Sequence, residues 1–262
     1  MSGYAISAGE LVEGWRYATR SYALEPDSPV VIETLAGAWQ SVGAIDEAER
    51  LLLDGLEIAG ENSGLQNSYF FLLLQQRRLE QAESLLLNQY GSAIGDLPEQ
   101  LRQFYYFQKS MIRLISGDID SAMGLIEQAI PDDTDPALSN AQVMFMTMSS
   151  ALQAAAGNTE LAEQRLSTAE RAVHRARVNG MDDADINYTE SSIHALRGNA
   201  QAALEKLQIA YDRGFRQLWL MDLDPRLEAI QQEPQFLELR DRMEQDIVGA
   251  RLQIESLAIA AL

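Results

Sequence analysis

Residues 29–62 place small and bulky apolar side chains at the spacing of an α-helix, with one interruption at Gly43. A glycine readily takes the left-handed backbone conformation that ends a helix. The pattern therefore predicts two short amphipathic helices joined by a tight turn. The residues that share the two apolar faces are Leu35, Ala36 and Trp39 in the first helix and Ala48, Leu52 and Gly55 in the second.

The same pattern returns along most of the chain. Ala48 has counterparts in four later stretches, at successive spacings of 34, 40, 40 and 41 residues. A helix pair cannot bury its apolar face alone, so recurring pairs predict a stacked array in which each unit covers the next. The wider spacings predict longer helices or longer loops in the later units. We expect the recurring alanines to lie buried where the two helices of a unit cross, and they are Ala48, Ala82, Ala122, Ala162 and Ala203.

The stretch 29–62 resembles a tetratricopeptide repeat, a unit of 34 residues that folds as two antiparallel helices. The residues that carry the resemblance are Ile32, Leu35, Ala36, Trp39, Ala48, Leu52 and Gly55. The resemblance implies an all-α fold, a right-handed superhelix of about five helix pairs with an N-terminal half repeat and a C-terminal capping helix. The predicted single domain divides into a half repeat at 9–26, repeats at 29–62, 63–96, 103–136, 143–176 and 184–217, and a cap at 218–262.

Residues 9–26 fit the second helix of a repeat whose first helix is missing. We therefore expect the chain to be a fragment of a longer protein. The helix has an apolar side formed by Trp15, Ala18 and Tyr22, which lie on one face. With no first helix to cover that face, the sequence predicts that it is available to a neighbouring chain and supports a homodimer through the N-terminal edge.

The end of the chain has a second resemblance. Its motifs are Gly198-Asn199, Gly214-Phe215-Arg216, Asp224-Pro225 and Pro234-Gln235-Phe236. They resemble the C-terminal end of tetratricopeptide regions in multidomain bacterial signalling proteins, including class III adenylate cyclases and winged-helix transcriptional regulators. The resemblance implies a regulatory or interaction module. A final helix is predicted over residues 235–260, with an apolar face of Phe236, Leu239, Met243, Ile247 and Leu252.

Charge and composition exclude several classes of function. The formal net charge is −19, with 39 acidic and 20 basic residues, which argues against binding to nucleic acid or to anionic membranes. The chain contains no cysteine, which excludes disulfides and zinc–thiolate sites. The sequence contains no apolar run long enough to span a bilayer and no secretory signal at its start. The compartment stays open between the cytoplasm and the periplasm of a bacterium.

Catalytic motifs are not found in the sequence. The lysines are Lys109 and Lys206, and neither follows a glycine as a phosphate-binding loop requires. The sequence also contains no GxSxG motif, which would place a nucleophilic serine. The histidines, His174 and His194, are too few for a histidine-rich metal site, and we expect His194 to pack within a helix. No enzymatic activity and no cofactor are predicted.

Two groups of acidic residues invite a metal-site interpretation. Asp183, Asp185 and Asn187 match the first ligand positions of a calcium loop, but the glycine and the glutamate that such a loop needs later are missing. We therefore predict that these residues cap a helix N-terminus and bind no metal. A second group lies between Pro131 and Pro136, in a predicted loop, and consists of Asp132, Asp133 and Asp135.

The resemblance also implies which residues line a concave groove, where tetratricopeptide arrays bind their partners. The implied groove residues are Phe71, Leu74, Phe104, Phe107, Met111, Leu114 and Met144. Two interpretations stay open at this point. The residues form an exposed apolar strip that binds a protein or peptide, or elongated helices and the C-terminal tail bury them in the core.

The sequence thus predicts a non-enzymatic module for protein–protein interaction, belonging to the regulatory or sensor region of a bacterial signalling or transcription-regulatory protein. The alternative is a stand-alone scaffold or assembly factor in envelope biogenesis or secretion, which the same repeats could serve. The acidic surface favours partners that carry Arg or Lys.

Overall fold

The computed structural model describes residues 9–91, 94–130 and 138–260. This part of the chain is helical and contains no β-strand. Its α-helices are α1 (Leu11–Leu24), α2 (Pro29–Ser41), α3 (Ile45–Ala59), α4 (Ser63–Gln75), α5 (Leu79–Tyr90), α6 (Glu99–Ser116), α7 (Ile119–Ala129), α8 (Asn140–Ala155), α9 (Thr159–Val178), α10 (Ala184–Leu196), α11 (Ala200–Asp212), α12 (Leu218–Leu223) and α13 (Pro234–Ala260). Two short 3-10 helices add Ile94–Asp96 and Pro225–Ile230.

The helices α2 to α11 form five consecutive pairs, and each pair is packed against the next. The predicted all-α solenoid is therefore confirmed. Within each pair, the turn contains one residue with a positive φ angle, which is a glycine in four of the turns and Arg77 in the other. Three helices of the middle units are longer, with 18 residues in α6, 16 in α8 and 20 in α9, against 13 in α2 and α4. These longer helices and the longer connections between units, from Tyr90 to Glu99 and from Ala129 to Asn140, together account for the wider spacing of the recurring alanines.

The five recurring alanines are all buried, as the sequence predicts. In three units, a serine of the first helix donates a hydrogen bond to the backbone carbonyl of the alanine, with oxygen–oxygen distances of 2.8, 2.9 and 2.8 Å. The serine stands 12 residues before the alanine each time. Small side chains at the crossing let the two backbones approach closely enough for this bond to form. The pairs are Ser110 with Ala122, Ser150 with Ala162 and Ser191 with Ala203.

We predict that replacing Ala82 with leucine lowers the free energy of unfolding by about 1–3 kcal/mol, because three additional carbons must enter a closed helix crossing. Ala82 is completely buried. The exposed Ala154 of α8 provides a matched control, and leucine at that position should change stability by less than ~0.5 kcal/mol. Urea unfolding of the two variants measures the difference. Equal stability of the two variants would contradict the predicted helix crossing.

The last helix, α13, joins the two ends of the array. Its first half packs on the last unit, where Phe236, Leu239 and Met243 are buried. Its second half packs on the first unit through Ile254, which is completely buried. Arg251 donates a hydrogen bond of 3.0 Å from Nη1 to the carbonyl oxygen of Gly43, in the turn between α2 and α3. The solenoid is therefore closed by contacts between its first and last units.

A second contact supports this closure. Gly9, directly before α1, lies against Gly214, in the turn after α11, and a side-chain carbon on Gly9 would come within 2.9 Å of the Gly214 Cα. Nearby, Arg216 forms an ion pair of 3.1 Å with Asp246 of α13, and Tyr211 donates a hydrogen bond of 2.8 Å to the same carboxylate. Backbone packing and charged contacts thus hold the same junction.

Two sequence-based predictions are wrong at this junction. Trp15 and Ala18 are buried within the chain, since Trp15 packs edge-to-face on Trp39 at 5.5 Å and α13 packs on α1. The apolar side of α1 is therefore not left for a neighbouring chain, and Tyr22 is half-buried beside it. The predicted apolar face of α13 is also wrong at its C-terminal end. Leu252, which the sequence pattern assigns to that face, is 61% exposed, whereas Ile254 is buried. Residue 252 lies five positions beyond Ile247, which turns it away from the buried stripe.

Candidate interaction surface

The first helices of the pairs share a surface that we call the inner surface, defined by α4, α6, α8 and α10. Residues 215–230, which we call the tail segment, lie on the part formed by α8 and α10. Phe215 stacks on Tyr188 of α10, with ring centroids 4.2 Å apart. Trp219 and Leu220 pack against the large apolar cluster that α4 to α10 build. The chain therefore covers the later part of its own inner surface.

A buried ion pair fixes the tail segment. Asp224 and Arg226 are both almost completely buried, and their side chains approach to 2.6 Å. Tyr188 donates a hydrogen bond of 2.7 Å to Asp224, and Arg226 donates one of 2.9 Å to Thr147 of α8. The network thus ties the tail segment to two first helices at once. Its charges are neutralised internally, as burial of charged groups requires.

The pKa values of this network follow from its burial. Desolvation raises the pKa of Tyr188 well above its ordinary value, and the charge of Asp224 adds to the shift. For Arg226, burial alone would lower the pKa, but the charge and hydrogen bonds of Asp224 outweigh burial and raise it. Neither group changes its charge at physiological pH. The network is therefore a structural anchor for the tail segment.

The structure places the predicted groove residues in two sets. Leu74, Phe107 and Met111 are buried in the core, and Phe107 stacks on Phe145 with ring centroids 4.7 Å apart. The other four residues are half-buried and pack against the same apolar cluster. The half-buried set, which we call the inner strip, consists of Phe71, Phe104, Leu114 and Met144.

Polar side chains connect successive first helices beside the inner strip. Each connection is a hydrogen bond between two first helices, with lengths from 3.0 to 3.2 Å. Sequence reasoning missed these connections, although polar residues recur at similar places in the first helices. Because every bond links neighbouring units, the bonds hold the spacing of the inner surface. The bonded pairs are Glu33–Ser68, Gln40–Gln75, Asn67–Gln108 and Gln103–Gln142.

A cavity of about 570 Å³ opens where the inner strip meets the tail segment. Its volume lies in the usual range for pockets that bind small molecules or side chains. Met144 of the inner strip and Leu220 of the tail segment contribute apolar wall. Three alanines, on α8 and α9, leave room where larger side chains would fill the space, and they are Ala141, Ala172 and Ala176.

One acidic side chain lines this cavity without a partner. Asp185 lies in the first turn of α10, and its carboxylate forms no hydrogen bond or ion pair within the described ranges. Residues 1–8, 92–93, 131–137 and 261–262 contain no Lys, Arg or His that could pair with it. The surrounding protein partly desolvates Asp185 and so raises its pKa, and the charge of Asp183 adds to the shift.

The predicted capping of a helix N-terminus is confirmed for one of the acidic residues. Asp183 caps α10, since its side chain accepts a hydrogen bond of 2.9 Å from the backbone N–H of Ile186. The described residues contain no group of three metal-ligating side chains. Asp132, Asp133 and Asp135 lie outside the described residues. His194 is half-buried within α10.

Among the helices of the described ranges, none is long and apolar enough to cross a membrane.

Comparison with known proteins shows a similarity of fold. No protein-family model matches the sequence, and no curated protein matches it. Among solved structures, the chain is similar to a tetratricopeptide repeat protein from Parabacteroides merdae, with a TM-score of 0.51 and 12% sequence identity. The alignment covers 84% of this chain and 78% of the other. A likeness at this identity shows a tetratricopeptide-like fold, in agreement with the helix pairs described above.

Proposed function

We propose that this chain is a non-enzymatic module that binds a segment of a protein partner on its inner surface. The observation that carries the proposal is the inner strip, where four apolar side chains on three neighbouring first helices stay half-exposed in a protein of net charge −19. Apolar side chains that stay accessible on the surface of an acidic protein are typical of an interaction site. Helix pairs that stack in this way commonly serve as scaffolds for extended binding surfaces.

The proposal extends to the biological setting. The resemblance of the tail to bacterial signalling proteins supports a regulatory or sensor role, in which partner binding controls an effector. The tail motifs Asp224-Pro225 and Phe215 take part in anchoring the tail segment to α8 and α10. A regulated module benefits from such an anchor because it fixes the border of the free inner surface.

Affinity capture from the native host followed by titration of the purified partner tests the proposal. Phe104→Ser removes an aromatic ring from the inner strip, and we expect at least a ~10-fold loss of affinity, the effect of removing a central binding residue. Leu53→Ser is the control, since Leu53 is an exposed apolar residue of α3 outside the inner strip. Equal affinity of wild type and Phe104→Ser for the purified partner would contradict binding at this surface. Circular dichroism confirms that both variants are folded.

A further inference from the structure

The cavity beside Met144 has features that specify the chemistry of an occupant. Its walls are mainly apolar, formed by Val143, Met144, Ile186 and Leu220 among others. The space exists because three small side chains face it, so no rearrangement of the backbone is needed to admit a large apolar group. Pockets of this kind use a few polar groups to orient what they bind.

Asp185 provides such a polar group. Its carboxylate has no partner among the described residues, whereas the other acidic groups nearby are engaged: Asp183 caps α10, and Asp182 pairs with Arg177 and Arg213. The neighbouring charge that perturbs Asp185 is that of Asp183, which has the same sign. Because Asp185 is exposed to solvent, its carboxylate is accessible to a cationic group of a partner.

The remaining charges at the cavity do not satisfy this carboxylate. Arg226 lines the cavity but is neutralised by Asp224 at 2.6 Å. Arg175 also lines it, in the last turn of α9, where a cation is stabilised by the helix C-terminus. Arg175 forms no ion pair with Asp185. The cavity thus combines apolar walls with the carboxylate of Asp185 and the guanidinium of Arg175, neither of which has an ion-pair partner among the described residues.

We infer that this cavity is a subsite for a peptide segment in which a large apolar side chain is followed closely by Lys or Arg. The inference rests on the proposed function, because Met144 belongs both to the inner strip and to the cavity wall. A peptide that lies along the inner strip reaches the cavity without leaving the surface. The apolar side chain fills the space beside Ala141 and Ala176, and the cationic group pairs with Asp185. The overall charge of −19 favours such a basic partner over long range.

Selection of random displayed peptides on the full chain tests the inference. We expect the selected peptides to share an apolar residue next to Lys or Arg. Synthetic copies of these peptides should bind the Ala176→Phe variant at least ~10-fold more weakly than wild type, because the phenylalanine fills the cavity from α9. The expected loss is that of removing a central contact. Ala141→Leu fills it from α8 and guards against a folding defect in the first variant. Asp185→Asn should weaken binding by about 2–5-fold, the worth of a partly exposed ion pair.

A matched charge control separates local from long-range effects. Asp120→Asn changes the net charge equally but lies in the first turn of α7, outside the cavity lining, and should leave affinity unchanged. Peptides without a basic residue, or peptides that bind both filled variants like wild type, would overturn the inference. Peptides that lose affinity on Phe104→Ser but not on filling the cavity would overturn the subsite and leave the proposed function standing. Peptides whose affinity is unchanged by Phe104→Ser and by the cavity-filling substitutions would contradict both the proposed function and the subsite.

Discussion

Replacing Phe107 with alanine is expected to lower the free energy of unfolding by about 3–5 kcal/mol, the usual cost of removing a buried aromatic side chain. Phe107 is only 2% exposed and stacks on Phe145 of the neighbouring first helix. Its removal leaves a cavity between α6 and α8 that the surrounding helices cannot close completely. The ring therefore belongs to the core that supports the inner surface, and urea unfolding measures its contribution.

Phe104 provides the comparison on the same helix. It lies one turn from Phe107, with ring centroids 6.1 Å apart, but is half-buried. Phe104→Ala should cost clearly less stability than Phe107→Ala, since less apolar area leaves the core. If Phe107→Ala costs less than ~1 kcal/mol, its ring is accessible, and the division between core and inner strip is wrong at this position.

Asp224→Asn is expected to destabilise the protein by about 3–5 kcal/mol, since it leaves the charge of Arg226 buried without compensation. Asparagine keeps nearly the same shape, so the loss reports on charge and not on packing. Replacing both residues by apolar ones, Asp224→Leu with Arg226→Met, should recover much of the loss, because no buried charge then remains. Thermal and urea unfolding of the single and double variants measure this coupling.

An exposed ion pair on the same part of the chain is the control. Arg240 and Asp222 approach to 2.8 Å but stay partly accessible to water. Asp222→Asn should therefore cost less than ~1 kcal/mol. Similar losses for Asp222→Asn and Asp224→Asn, or purely additive effects in the double variant, would contradict the anchoring role of the buried pair.

The sequence was sufficient to predict the helix pairs because each helix crossing requires a small residue, and such residues recur at similar spacings along the chain. Ala48 and its counterparts are completely or almost completely buried for that reason. The serine hydrogen bonds at the same crossings were missed, although their signal was present: a serine stands 12 residues before the alanine in three units. A small residue satisfies the same crossing in the first unit, where Ala36 takes that place.

The closure of the solenoid could not be predicted by the same reasoning. Periodicity shows that α1 has an apolar side at Trp15, but not which part of the chain covers it. The cover comes from α13, more than 200 residues later, and its contacts depend on the summed geometry of all units between. A small change of pitch per unit would move the two ends apart, and the sequence does not show pitch.

The candidate site was predicted in part for a related reason. Position in the repeat indicated Phe104 and Met144, which remain accessible, but also Phe107, which Phe145 covers. The tail segment reaches Thr147 through Arg226, across 79 positions of sequence. The sequence around Thr147 or Arg226 contains no local pattern that predicts this contact. The cavity exists only where these distant elements meet, so the sequence indicated Met144 as a groove residue but did not show that it lines a cavity.

The contact between Arg251 and Gly43 has a consequence for the order in which the protein is made. Translation completes α1 well before α13, because the residues of α13 that pack on α1 lie more than 200 residues later in the chain. At a synthesis rate of about 5–20 residues per second, Trp39, which packs on Trp15, follows within a few seconds, whereas the part of α13 that packs on α1 follows after roughly 10–50 s. During that interval the part of α1 that α13 covers in the folded chain stays uncovered, and transiently exposed apolar surface favours aggregation. The apolar side of α1 is thus completely covered only when α13 has been made.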